Sequence, residues 1–212
     1  REVSESLGMI KDSALRAAAM IKDLTALGRR GRYRMQVVDL NRIARDYLGT
    51  QDYAEMVGRN PGVAFSSELS DEPLHCRASE VHVSRILVNL VHNAVDAMNG
   101  SGSVTVRTSS LMLEEPRVSL RRVPPGRYVV LEVEDTGPGV PPDIQTRIFE
   151  PFFTTKRGSE RSGSGLGLSI VDAVVKDHGG ILDLASTQGE GTLFSIYLPE
   201  VVDEAPEPVA ED

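Results

Sequence analysis

The sequence holds one cysteine, no tryptophan, five phenylalanines and four histidines in 212 residues. A lone Cys76 excludes a disulfide framework and suits a reducing, cytoplasmic compartment. No apolar run approaches the ~20 residues that a membrane-crossing helix needs, so no membrane contact is expected of this stretch. Nothing at its start has the layout of a secretory leader. His75, His82, His92 and His178 are scattered, and no pair has metal-ligand spacing with a cysteine or acid cluster. No nucleophile–base triad is evident. The formal charge is −8, but residues 200–212 alone carry six acids and no base. The rest is nearly balanced, which argues against a nucleic-acid surface.

The apolar share of 40% is that of an ordinary globular protein, long enough for one buried core plus an appendage. Leu7, Ile10, Ala14, Ala17, Ile21, Leu24 and Gly28 recur at alternating steps of three and four, so residues 5–29 read as a helix with a heptad seam. Such a seam needs a partner helix. Residues 31–38 read as a linker, and Asp39 as the cap of a helix over about 40–56. A strand pair is expected at 63–69 and 74–78, then a long helix from Ser79 to Met98 with Val83, Leu87, Leu90, Ala94 and Ala97 as its apolar stripe. Strands follow at 103–109 and 128–135, separated by a charged, proline-bearing surface loop at 111–126. Residues 136–165 read as mostly loop. A helix over 166–178 stops at Gly179-Gly180, strands at 181–186 and 191–198 close the domain, and an acidic tail runs from Glu200. The mixture predicts an α+β two-layer sandwich, a mixed sheet with helices on one face, preceded by a long helix.

Three stretches carry chemistry. Asn89 and Asn93 are four apart and share a helix face offset from the apolar stripe. Amide oxygens there suit Mg²⁺, which prefers oxygen ligands. Asp96, one turn on, reads as solvated or as an orienter of the ion's waters. Asp135 ends a strand on the face of Val129, Leu131 and Val133, so its carboxylate emerges beside the buried layer and needs donors. The exocyclic amine of adenine would be one. Gly137 and Gly139 let the backbone turn and approach a flat ring. Gly163, Ser164, Gly165, Leu166 and Gly167 form a flexible loop that enters a helix, whose free N–H groups suit phosphates. Between them, Phe149, Phe152 and Phe153 read as the anchor of a lid, in which Lys156 is the best phosphate-binding cation. Gly189-Glu-Gly191-Thr192 reads as a turn, with Thr192 near the nucleotide. A lone glycine motif is weak; three in this order argue for an ATP site.

At these residues the chain resembles the catalytic, ATP-binding domain of bacterial sensor histidine kinases, in the Bergerat family shared with gyrase, the ninety-kilodalton heat-shock chaperone and mismatch-repair ATPases. Asn89-Leu-Val-His-Asn93 resembles the N box, and Asp135-Thr-Gly-Pro-Gly139 the first glycine box. Ile148 to Lys156 resembles the F box, Gly163 to Leu168 the second glycine box, and Gly189 to Thr192 the third. The resemblance covers about residues 37–199 and implies four segments: 1–30, part of a dimerisation and histidine-phosphotransfer hairpin; 31–38, a linker; 39–199, the catalytic domain; 200–212, a disordered tail. It implies ATP and Mg²⁺ as cofactors, with the metal on Asn93. It implies adenine read by Asp135, catalytic roles for Asn89, Asn93 and Lys156, and ATP contacts from Asp96, Gly137, Gly139, Phe153, Gly163 to Gly167 and Thr192. The expected partners are a response-regulator receiver domain and a second copy of the chain. Related hydrolases carry a glutamate at the Asn89 position, so the amide favours phosphoryl transfer over hydrolysis. The family's phosphoacceptor histidine lies on the first hairpin helix. No histidine precedes His75, so that helix is expected upstream of Arg1 and this stretch is expected not to phosphorylate itself alone. Two other readings stay open: an ATPase or serine kinase of the same fold, and a non-catalytic nucleotide-binding scaffold.

Overall fold

The structure is a computed structural model and describes residues 34–98, 100–155 and 164–202. The helix expected over 5–29, residues 156–163 with Lys156 and Gly163, and the tail beyond Val202 lie outside the described residues. Among the described residues, no helix is long and apolar enough to cross a membrane.

A five-stranded mixed sheet organises the molecule. Its strands are β2 (Val63–Glu68), β4 (Gly102–Leu113), β7 (Gly126–Asp135), β8 (Ile181–Thr187) and β9 (Gly191–Pro199), in spatial order β2-β4-β7-β9-β8. Only the β2–β4 pair is parallel. The helices α1 (Leu40–Leu48), α2 (Gln51–Arg59), α3 (Glu80–Ala97) and α4 (Gly167–Asp177) complete the fold. One face of the sheet, with Val104, Val106, Val129, Leu131, Val133, Phe194, Ile196 and Leu198, is buried with apolar residues of α1, α3 and α4. Of the expected stripe on α3, Val83, Leu87, Leu90 and Ala94 are buried, while Ala97 at its end is half-buried. Each fully buried valine, leucine, isoleucine or phenylalanine contributes roughly 1.5–3 kcal/mol by leaving water.

Four local expectations change. The helix expected over 40–56 is two helices, because Gly49 is a poor helix former and Thr50 caps a new start, its hydroxyl accepting from the Tyr53 N–H at 3.2 Å. The strands near 63–69 and 74–78 do not pair with each other. β2 joins the main sheet, while β3 (His75–Ala78) pairs with β1 (Gln36–Asp39), a strand inside the stretch expected to be linker. Asn41 fixes this crossing: its amide donates to the carbonyls of Ser70 and Glu72, and its oxygen accepts from Thr108. The ordered chain also passes Pro199. Glu200 bridges to Cys76, and the Val201 N–H donates to the His75 carbonyl at 2.9 Å.

The fourth change is the largest. Residues 111–126 are not a loose loop. β4 runs on to Leu113, and a small hairpin of β5 (Arg117–Val118) and β6 (Arg122–Val123) follows. Val123 is fully buried with Tyr128, Val130 and Tyr197 on the sheet's second face. The Ser119 hydroxyl donates to the Leu184 carbonyl at 3.1 Å, on edge strand β8. Charge and proline in this stretch concealed one apolar anchor.

His178, at the C-terminal end of α4, ties two helices together. Its Nδ1 lies 2.7 Å from the Val174 carbonyl and so donates, which leaves Nε2 to accept from the Ser79 N–H at 3.0 Å. Ser79 does not cap α3 with its side chain; its hydroxyl pairs with His82 Nδ1 at 2.7 Å. Burial pushes both histidines below their ordinary value of 6.5, and His178 further depresses His82. The neutral rings therefore stabilise the fold fully above pH 6.5. That contribution is lost as pH falls toward the depressed values, because the unfolded chain takes up protons first. Thermal melts between pH 7 and pH 5 should show the decline. His178→Gln, which keeps an acceptor without a titrating ring, should flatten it; an unchanged slope would remove His178 from the balance.

Candidate functional site

The middle strand of the sheet ends in a carboxylate. Asp135 is opposite Val104 on one side and Thr192 on the other, facing the helix layer as the alternation of Val129, Leu131 and Val133 requires. It is 4% exposed. One oxygen accepts from the Gly137 N–H at 2.8 Å. Burial pushes its carboxyl above the ordinary value; the backbone groups of Gly137 and Thr192 pull against burial and do not overcome it. Such a carboxylate gains from a further donor. Gly137 is itself buried, and a Cβ there would meet Asp135 Oδ1 at 2.7 Å and Ala97 Cβ at 3.5 Å. A flat surface is thus left beside the last turn of α3.

The other end of the site lies on α3 and the start of α4. Asn89 and Asn93 share a helix face, and Gly167, the first residue of α4, faces both. A Cβ on Gly167 would stand 3.7 Å from Asn89 Oδ1 and 4.0 Å from Asn93 Nδ2. The Asn93 Nδ2 atom is buried, with no hydrogen-bond partner among the described residues. An unpartnered buried donor costs about 1–3 kcal/mol, so the place is built for a polar ligand. The N-terminal N–H groups of α4 add positive potential there. Asn89 and Ala97 are roughly 12 Å apart along the helix at 1.5 Å per residue. That span suits a ring at one end and phosphates at the other. The donor chemistry fits ATP with a hard cation: neutral amides and helix N–H groups at one end, a lone acceptor at the other. Asp96 lies between the ends, half-buried.

The glycines divide by task. Gly139 has φ +67°, and a Cβ on it would meet the Thr187 carbonyl at 2.2 Å. Its missing side chain is explained by the β8–β9 turn. Gly191 likewise lies against the Asp135 backbone, where a Cβ would meet the carbonyl oxygen at 2.1 Å. Thr192 is buried beside Ser186, 3.1 Å between hydroxyls. Ser186 also accepts from the Val140 N–H at 2.8 Å, so one hydroxyl joins the two turns. Sequence reasoning missed Ser186, for a serine near a strand end carries no special pattern.

Of the aromatic anchor, Phe149 is buried and closes the 3₁₀ turn Arg147–Phe149. Phe153 is half-buried, with the Arg147 guanidinium 4.7 Å from its ring centre. Phe152 is exposed and held at φ 66°, a costly conformation for a non-glycine residue. Its N–H donates to the Gly165 carbonyl at 2.9 Å, so the segments before and after residues 156–163 are tied together. The Ser164 hydroxyl accepts from the Leu166 N–H at 3.2 Å, shaping the entry to α4.

Comparison with known proteins adds to this geometry. Residues 78–202 match the family model described as histidine kinase-, DNA gyrase B-, and HSP90-like ATPase. The chain is 38% identical over 196 residues to the sensor kinase CckA of Brucella abortus, covering 92% of this chain and 20% of that protein. It is 33% identical over 184 residues to the sensor histidine kinase ZraS of Klebsiella oxytoca, covering 85% of this chain and 35% of that protein. The chain therefore spans about a fifth to a third of the curated relatives it matches. Full-length ShkA, solved in complex with AMPPNP, superposes with a TM-score of 0.72 at 25% identity, over 97% of this chain and 40% of that one.

Three substitutions separate folding from ligand contact. Gly139→Ala should lower unfolding stability by about 2–4 kcal/mol through the clash with Thr187, whereas Gly58→Ala, exposed in α2 with open space around it, should raise it by about 0.5–1 kcal/mol. Asp135 works the other way. Its folded-state pKa lies above the unfolded value, so stability is full below that value and is lost as pH rises through the folded one. At pH 7, Asp135→Asn should therefore raise the urea midpoint of the ligand-free domain; a lower midpoint would contradict the cost assigned to the buried carboxylate.

Proposed function

Because this chain belongs to the histidine kinase-, DNA gyrase B-, and HSP90-like ATPase family, as an ATP-binding catalytic domain of the sensor histidine kinase type, we propose that it phosphorylates a histidine of the longer protein, for relay to an aspartate of a response regulator. One observation carries the reading. The Asn93 Nδ2 atom, buried and without a hydrogen-bond partner among the described residues, faces the first residue of a helix, at one end of a cleft whose other end is a buried carboxylate.

In this reading Asp135 accepts a hydrogen bond from the adenine amine, and the bare backbone at Gly137 admits the ring. The N–H groups at the start of α4 face the phosphates. Asn93, with Asn89 beside it, would hold Mg²⁺ through its side-chain oxygen while its Nδ2 donates to a phosphate oxygen; the ion, when bound, offsets phosphate charge. Phe153 and Lys156 complete the cover over the phosphates, with Gly163, Ser164, Gly165 and Leu166 as the loop that leads back to the helix. Thr192 supports Asp135, and Gly139 acts through the turn it packs on. Asp96 takes part through the ion's waters. Little covalent chemistry falls to this domain; it must place the γ-phosphoryl in line with its acceptor. Asn89 is neutral and cannot accept a proton from water, which favours transfer to a protein group over hydrolysis. Residues 1–30 supply one helix of a dimerising hairpin, whose other helix carries the acceptor histidine, and the whole works as a homodimer on the cytoplasmic side. The receiver domain of the response regulator docks on that assembly.

A longer protein that includes the upstream helix, given labelled ATP and Mg²⁺, should acquire phosphate that is stable to base and labile to acid. Label stable to acid, or free phosphate alone, would overturn the histidine-kinase reading. Asn93→Ala should abolish Mg²⁺-dependent binding of an ATP analogue. Asp135→Asn should weaken it by about 10- to 100-fold, the loss of a hydrogen bond to a charged group.

A further inference from the structure

The excursion between β4 and β7 reaches helix α4 around the edge of the sheet. Arg121 makes the connection. Its backbone N–H donates to Asp183 Oδ1 at 2.9 Å. Asp183 alternates with the core residues Leu182 and Leu184, so this bond lies on the sheet's second face. Beyond edge strand β8, the Arg121 guanidinium pairs with Asp172 of α4 and stands 4.6 Å from the centre of the Phe149 ring. One side chain thus touches the helix that presents its N-terminus to Asn89 and Asn93, and the aromatic turn before the phosphate-covering segment.

The pair is sheltered: the side chains of Arg121 and Asp172 are 25% and 13% exposed. Burial works against the charge on Asp172, but hydrogen bonds from Arg121 and Lys176 prevail and hold its carboxyl below the ordinary range. Lys176 meets Asp172 from the same helix, at 2.7 Å, and cannot fix that helix against anything else. Among the described ion pairs of α4, only Arg121 links it to another element.

We propose that Arg121 is a positioning residue for nucleotide binding: by clamping Asp172 and Phe149 together from around the β8 edge, it sets the first turn of α4 against Asn89 and Asn93. This inference rests on the nucleotide reading of the site. It assigns the β4–β7 excursion a task beyond covering apolar surface.

Binding of a non-hydrolysable ATP analogue with Mg²⁺ tests it on the full chain. Arg121→Ala should raise the Kd about tenfold, and Asp172→Asn should do nearly the same. The double variant should be little worse than either, because both remove one clamp. Arg121→Lys, which keeps the charge but loses the planar fork and the ring contact, should fall between and serves if the alanine variant does not fold. Amide exchange gives the second readout. Exchange at Ser169 to Val171 should quicken in Arg121→Lys while Val129 to Val133 stay protected; a merely structural loss would loosen both. A wild-type Kd in a folded Arg121 variant, or additive losses in the double variant, would overturn the clamp. If wild type binds no nucleotide, the proposed function itself fails and this inference with it.

Discussion

A carboxylate held under the helix layer at the end of the middle strand sets the terms for the rest of the fold. Asp135 has its place because β7 is flanked on both sides by long antiparallel partners, which fix register and therefore which face each residue takes. A shift of one residue would turn Asp135 outward and Glu134 inward. Burial makes the carboxylate unfavourable on its own, and two backbone donors offset that only in part. The apolar layer of β7, β9 and α3 supplies the stability that tolerates it.

The glycines around that strand end serve this constraint in two ways. Gly139 and Gly191 let neighbouring turns close on one another, and their crowded surroundings are protein backbone. Gly137 and Gly167 stand beside side chains that bear on the site: Asp135 and Ala97 for the first, Asn89 and Asn93 for the second. The four look alike in a motif. What separates them is whether an added carbon would meet a main-chain carbonyl or the side chains of the cleft.

This distinction marks the limit of what was legible in the sequence. Two-residue alternation exposed the inward face of β7 and placed Asp135 correctly, and spacing of four placed both asparagines on one face of α3. The main helices and the five strands of the sheet were legible, because each carries a periodic apolar pattern. Pairing was not. β3 has four residues and β1 four, too short for a pattern, and their partnership depends on Asn41 gathering carbonyls from a distant loop. The β4–β7 excursion misled for a related reason: Val123 and Leu120 stand singly among arginines, serines and prolines, and an isolated apolar residue has no period. Arg121 was invisible because its partners, Phe149, Asp172 and Asp183, are 28 to 62 positions away.

Charge placement then bears on the choice between transfer and hydrolysis. Asp135 sits at the far end of α3 from Asn89, beside Ala97, which is roughly 12 Å from Asn89 by helix rise. In the proposed reading that separation, not salt screening, weakens its repulsion of the phosphates, since a buried charge is screened little. An acid in place of Asn89 would bring that repulsion next to the γ-phosphoryl, and would be tolerable only if it gained something by accepting a proton from water. A neutral amide removes both the repulsion and the base. In the proposed reading, a site built this way holds a nucleotide with little drive to hydrolyse it, and productive loss of the phosphoryl group waits for an acceptor brought from outside the domain. On that proposal, control of the reaction lies in the geometry between this domain and its acceptor helix.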